Sequence, residues 1–145
     1  MRCLSLWQPW ASLIAVGQKK IETRHWSTSY RGPLAIHAAL KWNGELREIC
    51  QREPFWTVIR EAGYGVKPLP LGAIIATCRL TDCMRTDVAI EHSIFDRCPP
   101  HERWFGDFSY GRWAWILEDV RALPEPIPAK GSQGLWDYDL QAVTV

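Results

Sequence analysis

The stretch Leu6–Arg24, LWQPWASLIAVGQKKIETR, constrains the chain most, because a helix, its stop and a strand follow one another there with almost no room for loops. Trp7, Trp10, Leu13 and Ile14 recur at helical spacing. Pro9 suits the first helical turn, where its missing N–H costs nothing. Gly17 stands where a left-handed helix cap falls. Lys20–Thr23 then reads as a short strand. Extended chain puts Lys20, Glu22 and Arg24 on one face and Ile21 and Thr23 on the other. Such a charged face serves equally as a solvated edge that discourages aggregation.

Arg2–Leu6 and Pro33–Ala38 read as further strands. Asn43 caps a helix with Leu46, Ile49 and Cys50 inward, and Pro54 breaks it or opens a second, with Phe55, Val58, Ile59 and Ala62 on one face and Gly63 at its end. Gly72–Leu80 reads as a strand buried on both faces. Thr86–Asp107 reads as a long loop with short helical pieces. Arg112–Val120 is a strong strand. Leu123–Pro128 is extended, because its alternate prolines forbid helix. A glycine loop, Gly131–Gly134, precedes a last strand around Leu135–Val143. About six strands interleave with two or three helices, and several gaps are too brief for helical crossovers. An α+β fold built on a small, mixed or antiparallel barrel is expected, with residues 1–145 as one domain.

Seventeen Lys and Arg against sixteen Asp and Glu leave a formal charge of +1, so a nucleic-acid site on this chain has to be a local patch. Between Gln18 and Gly32 that patch exists: Lys19, Lys20, Arg24, His25 and Arg31 surround Glu22, the one acid. Trp26 and Tyr30 lie among them, and aromatic rings beside basic groups suit a flat, negatively charged ligand. Nine tryptophans are mostly expected in the core, Trp113 and Trp115 among them, with one or two free to stack. The five cysteines show no CxxC, and the chain shows no signal peptide or membrane-length apolar run. We therefore expect reduced thiols in a cytoplasmic protein away from the membrane. Cys83, His92, Cys98 and His101 are borderline metal ligands at an unfamiliar spacing, equally explained as scattered thiols and surface histidines, and neither a metal nor a cofactor is expected. The Lys130–Gly134 loop offers backbone N–H groups to a phosphate, or is simply a turn between strands. His37 is expected as a hydrogen-bonded core or rim residue.

Leu6-Trp7-Gln8-Pro9-Trp10-Ala11, Gly17-x-Lys19-x-Ile21-Glu22-x-Arg24-x-Trp26, Tyr30-Arg31-Gly32 and Ile36-His37-Ala38 together resemble the ASCH domain family. The match is strongest over Leu4–Ala38, with weaker support from the later strands and from Gly131-x-x-Gly134-Leu135-Trp136. The resemblance implies a PUA-like barrel flanked by two or three helices, with a basic, Trp-lined cleft for RNA or a nucleotide-like molecule. Its ligand-binding residues would be Gln8, Trp10, Lys19, Glu22, Arg24, Trp26, Arg31, Gly134 and Trp136. Lys19, Arg24 and Arg31 would meet phosphate, and Glu22 would read a base edge or position Arg24.

The family also implies an alternative, a small hydrolase acting on a modified nucleoside or on RNA, with Lys19 and Glu22 as its catalytic pair. In the amidohydrolase branch a lysine is followed three residues later by a threonine, with a glutamate on a later strand. Laid on this chain, lysine falls on Lys19, but threonine falls on Glu22, and the glutamate falls near Cys78 or Arg79. Thr23 comes one residue late. In the ribonuclease-like branch Lys19, Tyr30 and His37 are the acid–base candidates.

Overall fold

The computed structural model describes residues 1–140. Six strands form one sheet in the order β2-β5-β4-β3-β1-β6: β1 (Arg2–Leu6), β2 (Ile21–Arg24), β3 (Gly32–Ala38), β4 (Ala73–Arg85), β5 (Trp113–Pro128) and β6 (Leu135–Asp137). Only β1 and β3 run parallel among the paired strands, so the sheet is mixed. The sheet curls into a half-barrel. Bulges bend it: the β4–β5 register slips at three places and the β3–β4 register slips between Ile36 and His37. Four short α-helices accompany it: α1 (Trp10–Ala15), α2 (Gly44–Cys50), α3 (Phe55–Glu61) and α4 (Thr86–Glu91). The last is one of the helical pieces expected within Thr86–Asp107, and 3-10 turns at Ile94–Arg97 and Glu102–Phe105 are others.

Local chemistry explains most boundaries. Pro9 stands at the N-cap of α1, one residue before the first turn, so the N–H groups there depend on other caps. Gln8 supplies one, its Oε1 accepting the Ser12 N–H at 3.0 Å. Gly17, at φ +81°, ends the helix in the left-handed region that other residues avoid. Asn43 caps α2, its Oδ1 accepting the Leu46 N–H at 2.9 Å. Strand alternation fills both faces of the sheet. Leu4, Leu34 and Ile36 join Trp115, Leu117 and the α1 residues Ala11 and Ile14 in the main core. Cys3, Ala35 and Ile74 point the other way, beneath Leu123, Ile127, Trp136 and Tyr138.

Three strands differ in extent from the sequence reading. β4 continues to Arg85, and β5 runs unbroken from Trp113 through the prolines to Pro128. A proline removes a ladder donor without breaking an extended strand. β6 ends at Asp137; the expected continuation to Val143 falls partly outside the described residues. Trp115 is fully buried, its Nε1–H donates to the Trp26 carbonyl at 3.3 Å, and its ring meets Trp26 edge-on at 4.7 Å. Trp115→Ala is expected to cost about 3–5 kcal/mol. Asn43→Ala, which loses one helix cap, is expected to cost about 1 kcal/mol. Urea denaturation of the two variants beside the parent checks the contrast.

Candidate functional site

A cavity of about 560 Å³ opens where the ends of β1 and β2 meet the Glu102–Phe105 turn. Trp7, Trp10, Trp104 and Phe105 line it, with Glu22, Thr23, Arg24 and Arg112 among the polar groups. Trp104 is 66% exposed and Trp7 49%, so both offer ring surface to a ligand. Trp10 is braced edge-on by Phe55 of α3 at 6.0 Å. Lys41 stands 3.7 Å from the Trp7 ring centroid, which adds positive charge to that wall.

Lys19 does not line this cavity. It is 0% exposed, and its ammonium donates to the Ile21 carbonyl and, at 3.0 Å, to the Phe105 carbonyl. Glu22 Oε1 stands 3.6 Å away. These three partners match the three N–H donors of an ammonium. Glu22 turns its other oxygen, Oε2, to Arg24 Nε at 2.9 Å, and Arg24 also donates to the Ser5 carbonyl at 2.8 Å. Glu22 and the Ser5 carbonyl thus fix Arg24, whose remaining guanidinium N–H groups make no hydrogen bond among the described residues. On the opposite side Arg112 donates to the Thr23 and Asp107 carbonyls at 3.3 and 3.2 Å and faces the Asp107 carboxylate at 3.4 Å. Thr23 Oγ1 accepts the Asp107 N–H at 2.9 Å, which closes the floor. Glu22 and Thr23 both reach the cavity.

Other sequence candidates sit elsewhere. Gln8 is fully buried and also donates to Ser12 Oγ and the Pro70 carbonyl. Trp26 packs on Trp115. Arg31 is exposed, 3.7 Å from Asp82, and its guanidinium donates to the Thr28 and Tyr30 carbonyls. The Tyr30 hydroxyl donates to the Pro33 carbonyl at 2.5 Å. Gly134 turns the chain at φ +66° into β6, and Trp136 donates from Nε1 to Ser5 Oγ at 3.1 Å. His37 is buried between Ser5 and the Ala129 carbonyl. Sequence reasoning missed Trp7 as a wall, and it missed Trp104 and Arg112 altogether. Only the helical spacing of Trp7 and Trp10 signalled any of them, and it reads as core.

Among the described residues no three His, Cys, Asp or Glu side chains gather as metal ligands. The Cys98 thiol donates to the Ile94 carbonyl, and His101 packs against Phe105. All five cysteines are free; burial pushes the thiols of Cys3, Cys50 and Cys98 up to about 11 and that of Cys78 to about 12. No helix of the described residues is long and apolar enough to cross a membrane.

Glu102 lies behind the cavity wall, 1% exposed, with Oε1 accepting the Lys20 N–H at 2.5 Å. Its Oε2 has no hydrogen-bond partner of good geometry among the described residues. Burial raises its pKa above 4.5, against the pull of Lys19 and the nearby N–H groups of Lys20 and Ile21. A raised carboxyl binds its proton more tightly in the folded chain, so it stabilises below about pH 4.5 and that contribution is lost as pH rises through the raised value. Asp87 and Asp107, both lowered by hydrogen bonds, act in the opposite sense, so the comparison must be with a variant. Across pH 4 to 8, urea denaturation is expected to show Glu102→Gln gaining stability relative to the parent as pH rises. Lys19→Met strips two carbonyls and Glu22 of their partner, and is expected to cost about 3–5 kcal/mol by the same measurement.

A family model described as the ASCH domain matches residues 4–126. Activating signal cointegrator 1 from Mus musculus is 29% identical over 140 residues, and that from Homo sapiens is 28% identical over 143. Each alignment covers 94% of this chain but only 22% of the relative, so this chain spans about a fifth of their length. The crystal structure of ASCH from Zymomonas mobilis aligns with a TM-score of 0.57 at 16% identity, covering 98% of this chain and 90% of that one. A mutant of the same protein gives the same score and identity, with 92% of its chain covered. These structures share the PUA-like fold.

Proposed function

Because the chain belongs to the ASCH domain family, we propose that it is a single ASCH domain that binds RNA, or a nucleotide-like molecule, in the cavity between β1, β2 and the Glu102–Phe105 turn. One observation carries the reading: exposed Trp7 and Trp104 rings flank a floor on which Glu22 fixes Arg24. A base held between indoles gains about 1–3 kcal/mol from stacking. The spare N–H groups of Arg24 and Arg112 then meet phosphate or carbonyl oxygens. Glu22 keeps lone pairs for an amino group on a base edge.

In this reading Trp10, Glu22 and Arg24 touch the ligand. Gln8 and Lys19 support them from behind, and Trp26 keeps the β2 end in place through Trp115. Gly134 and Trp136 act through Ser5, while Arg31 is an outlying contact for a longer strand. The hydrolase alternative draws no support from the geometry, since the Lys19 ammonium is spent on backbone carbonyls and Glu22, and Thr23 Oγ1 accepts from Asp107. The +1 net charge adds no general attraction for nucleic acid, so affinity rests on this patch.

Fluorescence titration with short single-stranded RNAs at low and moderate salt tests the proposal. Binding is expected at low salt and should weaken as salt rises. Trp104→Ala is expected to weaken it roughly tenfold. Arg112→Gln should lessen the salt dependence. Absence of binding at low salt, or affinity indifferent to both substitutions, overturns the reading.

A further inference from the structure

A second cavity, about 540 Å³, opens on the other side of Ser5. Ser5 is the partition between the two. Its carbonyl accepts Arg24 in the first cavity, while its hydroxyl stands 2.9 Å from His37 Nδ1 and accepts the Trp136 Nε1–H. The Ala129 carbonyl, 2.7 Å from His37 Nε2, can only accept, so Nε2 carries a proton. In the neutral ring Nδ1 is then the acceptor for the Ser5 hydroxyl. These bonds hold the partition rigid and satisfy its buried polar atoms.

The loop over this partition is different. Gly131 approaches so closely that a Cβ there would come within 2.6 Å of His37 Cε1 and 2.7 Å of Ser5 Oγ. The N–H groups of Lys130, Gly131, Ser132 and Gln133 make no hydrogen bond within the described residues, and the Lys130 ammonium makes no ion pair there. No carboxylate lines the second cavity, whereas Glu22 and Asp107 in the first are each paired with an arginine. Half-buried Ala39 and Ala129 line it, together with Leu40, which is 77% exposed. An apolar recess with a rim of uncommitted donors and one free cation suits a nucleoside whose phosphate lies at the rim. A phosphate would give these donors a charge to hold. Leu40 is followed by Lys41, whose ammonium stands over the Trp7 ring of the first cavity.

Resting on the reading of the first cavity as a nucleotide site, we infer that the two cavities form one track for a single RNA strand. The second holds the neighbouring nucleotide, with its phosphate on Lys130 and the Gly131–Gln133 N–H groups. Ser5 is the divider between successive nucleotides.

Isothermal titration of the four ribonucleoside 5′-monophosphates and the four matching homotrinucleotides, at one low salt concentration, tests this. At least one trinucleotide is expected to bind tenfold or more tightly than its own monophosphate. Lys130→Glu, at an exposed position, is expected to remove that gain, so that the trinucleotide binds no more tightly than the monophosphate does to the same variant. Gln133→Glu, which places a like charge at the same rim, should do the same. Monophosphate binding without a gain on lengthening, or a gain that survives both substitutions, overturns the track and leaves the first site standing. If neither ligand class binds the parent protein, both readings fall.

Discussion

The buried Lys19 ammonium is the contact on which the rest of the site depends. It joins the start of β2 to the carbonyl that ends the Glu102–Phe105 turn, and it steadies the carboxylate that orients Arg24. A charge with no exposure is tolerated only when its donors are matched, and here two carbonyls and a carboxylate match them. The wall carrying Trp104 is thereby fastened to the floor carrying Glu22. The Lys20 N–H bond to Glu102 and the Asp107 N–H bond to Thr23 fasten the same segment to β2 from either side of it. The same lysine that looks at first like a ligand contact is a reason the cavity has a shape.

Charge in the cavity is arranged by pairing. Each acid on the floor is met by an arginine that also donates to backbone carbonyls, Arg24 to Ser5 and Arg112 to Thr23 and Asp107. An arginine held in this way keeps a fixed orientation and still has N–H groups left over, which a lysine in the same place would not combine. The walls are indoles whose large faces remain partly in water. Indole faces and paired charges thus make up the cavity surface of a chain whose overall charge is nearly balanced.

Local rules made much of the fold legible. Gly17 as a helix stop, Asn43 as a cap, Gly63 at the end of α3 and the alternation of β1 and β3 all depend on neighbours close in sequence. The continuity of β4 and β5 was not legible, because bulges break their alternation and prolines disguise an extended strand. Site residues divide along the same line. Glu22 and Arg24, two apart on one strand, were readable as a pair. Lys19 was not readable as buried, since its carbonyl partner at Phe105 lies far along the chain. Trp104 and Arg112 come from or border a stretch with no periodicity, and only tertiary packing brings them to β2.

β1 lies between β3 and β6, so the first strand of the sheet has the last as its neighbour. During synthesis, or on refolding, one margin of β1 stays open until β6 has been made and can pair with it. Pairings this distant form late and slowly, and an open strand margin is a place where another chain can add. Ser5 and Trp136 meet across that final pairing. The Ser5–Trp136 contact between the two recesses is therefore in place only once β6 has paired with β1.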